Sequence, residues 1–166
     1  GVMESLIHSA RAALKNPQDH EARSNLMWCA TMGLNTVTGL SKAQDWEVHM
    51  IEHQLGAYTD CPHGAGLAAI SVPYYRYIYR DGMDKFVRFA AKVWGIDPHG
   101  MDKEQAALAG IDALAAFIRE LGLPATLREL GATEDMLPKI AASAVKGGGY
   151  RRMEEADILK VLEACY

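Results

Sequence analysis

Trp46-Glu47-Val48-His49-Met50-Ile51-Glu52-His53, then Gln54 to Cys61, then Pro62-His63-Gly64, is the stretch on which the reading of this chain turns. It reads as one helix, a tight turn and the start of a second helix. Residues four apart lie one turn above each other on a helix, so His49 and His53 point at one spot. Between Gly56 and Pro62 the chain carries breakers and a capping residue, which lets it reverse and present His63 near the other two imidazoles. Three histidines are expected to converge there.

The rest of the chain reads as further helices. Val2 to Lys15 places Val2, Leu6, Ile7, Ala10, Ala13 and Leu14 close to a 3.6-residue period and stops at Asn16-Pro17. A second helix opens at Asp19 or His20 and is expected to run to about Gly39, apolar nearly all round and therefore buried. The third should span about Ala43 to Ala57. A fourth follows Pro62, which suits a first helical turn, and runs to Tyr79 with a kink at Pro73. Met83 to Trp94, Lys103 to Leu121, Thr133 to Ala144 and Glu154 to Ala164 are amphipathic. Lys146-Gly147-Gly148-Gly149-Tyr150 is expected to be a flexible loop. No alternating run supports a sheet and no repeat is present, so the fold class is all-α.

Composition bounds the function. With 166 residues, 49% of them hydrophobic, the chain can bury one sizeable core, and it is expected to be a single helical domain over 1–166. Lys and Arg number 17 against 21 Asp and Glu, a net charge of -4 that leaves no basic footprint for nucleic acid or an anionic membrane. No apolar run approaches the roughly 20 residues of a membrane span, and Gly1-Val2-Met3-Glu4-Ser5 lacks the basic, then apolar, then small-residue order of a signal peptide. A cytoplasmic protein is expected. Cys29, Cys61 and Cys165 are odd in number and widely spaced, as reduced thiols would be. The first helix starts without a convincing cap, and the leading glycine looks like a remnant of tag removal, so the chain is expected to be a fragment.

Asn25-Leu26-Met27-Trp28-Cys29-Ala30, Asp45 through Tyr58, and Cys61-Pro62-His63-Gly64-Ala65-Gly66-Leu67-Ala68 together resemble the C-terminal helical domain of the iron-containing (group III) alcohol dehydrogenases. Within that family the likeness is greatest to the NAD(P)H-dependent butanol dehydrogenases and related aldehyde reductases. It is strong from Ala22 to Gly100 and looser beyond. The resemblance implies a helical bundle of the dehydroquinate synthase-like, iron alcohol dehydrogenase type. It implies Fe2+ or Zn2+ held by His49 and His63, and it places His53 beside nicotinamide and substrate as an aid to proton transfer. It further implies NAD(P)H bound mainly by an N-terminal domain, a small alcohol or aldehyde as substrate, and a homodimer of the full-length enzyme. The family's other two ligands are an aspartate and a histidine one turn apart on a preceding helix. No such pair precedes His49, since Glu4 and His8 fail the match. The glycine-rich phosphate loop is absent as well. The chain would then be the metal-binding half of a larger enzyme, weak in metal affinity and inactive by itself.

Two other readings compete. His49-Met50-Ile51-Glu52-His53 fits HxxEH, in which two histidines bind zinc and the glutamate activates water. That zinc-peptidase reading leaves His63 without a role and needs a downstream acid, for which Glu129, Glu134 and Glu154 are candidates. Under it Glu52→Gln abolishes activity, whereas under the dehydrogenase reading the change is mild. The other alternative is a non-enzymatic helical interaction module with structural histidines. Among lesser features, Trp46 reads as core before pocket wall and Cys61 as loop packing. Tyr74, Tyr75, Tyr77 and Tyr79 read as packing or subunit contact. The triple glycine could approach substrate or be a plain loop.

Overall fold

The computed structural model describes all 166 residues and is all-helical, with no β-strand. Its helices are α1 (Val2–Lys15), α2 (His20–Leu34), α3 (Glu47–Thr59), α4 (His63–Ile78), α5 (Met83–Val93), α6 (Lys103–Glu120), α7 (Leu137–Ser143) and α8 (Glu155–Ala164). Local chemistry sets their starts. The Asp19 side chain accepts from the Ala22 N–H at the head of α2. Reciprocal capping boxes open α6 (Asp102 with Gln105) and α8 (Glu154 with Asp157).

Consecutive helices pair as α1 with α2, α3 with α4, α5 with α6 and α7 with α8. The pairs join because α4 packs on α6 and α8, and α3 packs on α7. Ile51 and Leu55 of α3, Ile70 and Ile78 of α4, Ile111 of α6, and Ile158 and Leu162 of α8 meet in one buried core. Each such aliphatic side chain gains about 1.5–3 kcal/mol on full burial. The α1–α2 hairpin stands off this core. It is zipped by Asn25, whose amide donates to Ser5 and Ser9, and it is tied to α6 by the Arg11–Glu120 ion pair. Arg11 also lies over the Phe117 ring.

Four expectations need correction. The second helix ends at Leu34, because Thr36 adopts φ 70 and the chain then makes a short 3₁₀ turn at Val37–Gly39. The third begins at Glu47, after Ser41 at φ 60 has turned the chain again. The Thr133–Ala144 stretch is a 3₁₀ turn, Glu134–Met136, leading into α7. Most consequentially, α2 is not buried, since Met27 is 74%, Trp28 61% and Leu34 63% exposed. The helix through Pro73 is continuous from His63 to Ile78. No helix is long and apolar enough to cross a membrane.

Candidate metal centre

The start of α3 is fixed before any ligand is placed. The Asp45 carboxylate accepts from the Glu47 N–H at 3.0 Å and from the Tyr74 hydroxyl of α4 at 2.7 Å. Burial, followed by that bond to Asp45, pushes the Tyr74 hydroxyl pKa up. Glu47 is 1% exposed and accepts from the Gly147 N–H at 2.7 Å. Burial raises its pKa, opposed by the Gly147 bond. The triple glycine is therefore strapped to the foot of α3. Gly148 lies at φ 113, and a Cβ on Gly149 would fall 2.9 Å from the Asp45 Cβ. The segment is not the unattached loop its composition suggests.

At the other end of α3, Asp60 takes the left-handed conformation (φ 55, ψ 27) and caps the helix. Pro62 is the N-cap of α4 and His63 its first residue. This reversal brings the three imidazoles together, as expected. Their ring centroids stand 5.2 Å apart for His49 and His63, 5.4 Å for His53 and His63, and 6.3 Å for His49 and His53. One ligand atom from each lies within 4.8 Å of the others. His49 is half-buried, while His53 and His63 face solvent. Burial first, then the proximity of His63 and His53, lowers the His49 pKa. A neutral imidazole is the form that binds metal, so the donor set suits a divalent ion such as iron or zinc.

The cluster borders an open cavity of about 1050 Å³ between the α1–α2 hairpin and the main bundle. Its walls are mostly apolar, including Leu6, Leu34, Met50, Phe89 and Trp94. Trp46 belongs to this wall and not to the core, with its ring 5.1 Å from that of His49. Cys61 is half-buried loop packing. Tyr74 packs internally, and the Tyr77 and Tyr79 hydroxyls donate to Asp157 and Glu104.

Glu52 is the residue of the cluster whose place was not legible. It is 2% exposed and its carboxylate accepts from His63 Nδ1. A side chain buried and engaged in this way cannot activate a water at the cavity, which removes the general base of the peptidase reading. Two of the three candidate acids are engaged elsewhere. Glu129 is occupied by the Ala125 and Thr126 N–H groups, and Glu154 caps α8. The HxxEH spacing was the available signal for Glu52, but a period alone does not say that this carboxylate faces α4.

Fold and site together describe an all-α domain that presents a cluster of three imidazoles beside an apolar cavity. The chain belongs to the Fe-containing alcohol dehydrogenase family, whose C-terminal model matches residues 1–166. It is 33% identical to NADH-dependent butanol dehydrogenase A of Clostridium acetobutylicum over 171 residues, covering 99% of this chain and 44% of that protein. It is 31% identical to the NADPH-dependent aldehyde reductase YqhD of Escherichia coli, covering 95% and 40%. The crystal structure of NADH-dependent butanol dehydrogenase A from Thermotoga maritima superposes with a TM-score of 0.91 at 30% identity, again over 99% of this chain and 44% of that one. The chain thus spans less than half the length of the relatives it matches. Nothing in these likenesses supports the interaction-module reading.

Proposed function

We propose that this chain is the metal-binding half of an iron- or zinc-dependent NAD(P) alcohol dehydrogenase or aldehyde reductase. The convergence of His49, His53 and His63 on the rim of an apolar cavity carries the reading. On it, the whole protein has an N-terminal nucleotide-binding domain that brings NAD(P)H to the cavity and supplies the remaining ligands. The twofold greater length of the relatives supports this.

His49 and His63 would hold the ion, being the pair that resembles the family's ligands. A divalent metal there supplies Lewis-acid stabilisation of the negative charge that develops on the substrate oxygen as hydride leaves the nicotinamide. His53, one turn from His49 and solvent-facing, would give or take the substrate's proton, directly or through water. The apolar wall formed by Leu6, Met50, Phe89 and Trp94 favours the carbon skeleton of a small alcohol or aldehyde and thins water around the reacting oxygen. The isolated 166 residues, with the imidazoles as their only clustered ligands, would hold metal weakly and lack activity. A cytoplasmic homodimer is the proposed form of the whole protein, with exposed Met27, Trp28 and Leu34 as candidates for burial.

The test is reduction of butyraldehyde by NAD(P)H in the whole protein, comparing wild type with His53→Ala. A fall in kcat of about 10²–10⁴-fold, with bound metal retained, fits a proton-transfer role. Unchanged kcat removes His53 from the mechanism.

A further inference from the structure

We infer that Glu52 is a positioning residue for the metal centre: its buried carboxylate holds the Nδ1 side of His63 and so dedicates Nε2 of that ring to the ion. The inference rests on the metal reading above. His63 sits on the first residue of α4 with its side chain 49% exposed. A ring so placed would sample several rotamers and both tautomers. A carboxylate can only accept here, so Nδ1 must donate, and the lone pair is left on Nε2. A ligating histidine whose other nitrogen binds a carboxylate is fixed in orientation and made a stronger donor.

The surroundings of Glu52 are shaped for this contact. Its side chain has His63 as its one hydrogen-bond partner while being 2% exposed. Burying a carboxylate is costly unless it is paired, and apolar side chains of similar volume often serve stability as well or better. Glycines make the room. A Cβ on Gly66 of α4 would fall 2.6 Å from Glu52 Cγ, and one on Gly56 would touch Oε1 at 3.4 Å. Gly66 therefore lets α3 and α4 close on the carboxylate and aim it back along α4 at His63.

The experiment measures zinc affinity of the metal-stripped whole protein by competition with a chromophoric chelator, with circular dichroism to confirm folding. Glu52→Met removes the acceptor at nearly constant volume and is expected to weaken zinc binding by about 10–100-fold. Glu52→Gln keeps an acceptor and should lose less. Gly66→Ala keeps the carboxylate but displaces it, and should also weaken binding. A folded Glu52→Met variant within about twofold of wild type overturns the inference. Should Glu52→Met not fold, Glu52→Gln and Gly66→Ala decide, and wild-type affinity in both overturns it. His63→Ala is the control. If it binds zinc like wild type, the metal reading fails and takes this inference with it; if it alone loses zinc, only the role of Glu52 fails.

Discussion

Burial and two neighbouring imidazoles disfavour the protonated form of His49, and the turn at Asp60 delivers His63 against it. On the proposed assignment these two residues carry the ion and His53 does not. Replacing either His49 or His63 by Ala should then cost more metal affinity than the roughly 10–100-fold typical of an outer-shell partner. His53→Ala should leave metal content near wild type, as metal analysis of the purified whole protein would show. Equal losses from all three would instead make His53 a ligand. The convergence itself was legible, because HxxxH spacing and a breaker-rich turn are local signals. Glu52 was not legible as a partner of His63, since which face of α3 meets α4 is settled by packing. On the proposed positioning role, Glu52→Gln, expected to be mild for activity on the dehydrogenase reading, should lower metal affinity less than Glu52→Met does.

At the scale of elements, helix identity followed from hydrophobic period and caps, whereas two helix ends did not. Thr36 and Ser41 take positive φ without being glycine, so nothing in their residue types announced the turns that end α2 and delay α3. Close approach is better marked. Gly110 of α6 lies against Ala90 of α5, and an added Cβ would fall 2.8 Å from the Ala90 Cβ and 2.9 Å from its Cα. Gly110→Ala should push the pair apart and cost about 1–3 kcal/mol, read from chemical denaturation midpoints. The α8–α4 contact carries a pH signature. The Tyr77 hydroxyl, then the Glu154 N–H, lowers the Asp157 pKa. A depressed carboxylate contributes stability that is present above its unfolded pKa of about 3.9 and is lost as pH falls through the folded value. Melting temperatures measured from pH 6 down to about 3 should therefore fall more steeply for wild type than for Asp157→Asn. Parallel slopes would show that the contact is not formed.

Across the whole molecule, the α1–α2 hairpin stands apart from the main core and leaves the apolar cavity between them. The exposure of Met27, Trp28 and Leu34 escaped sequence reading because an apolar helix shows that there is surface to bury but not in which body it is buried. If this surface joins two copies in the whole protein, Trp28→Glu should shift its mass in solution toward the monomer, by light scattering. An unchanged dimer would place the interface elsewhere. On the proposed assignment a bound metal would couple to folding as any ligand of the native state does, so at 100 times its Kd it should raise the unfolding free energy by about 2.7 kcal/mol, read from chemical denaturation.

The most direct measurement is oxidation of NAD(P)H by the whole protein with butyraldehyde, before and after chelation, beside the His49→Ala, His63→Ala double variant. Activity that chelation removes, that added iron or zinc restores, and that the double variant lacks is the predicted result. Activity indifferent to chelator and to both substitutions would contradict the proposed metal centre.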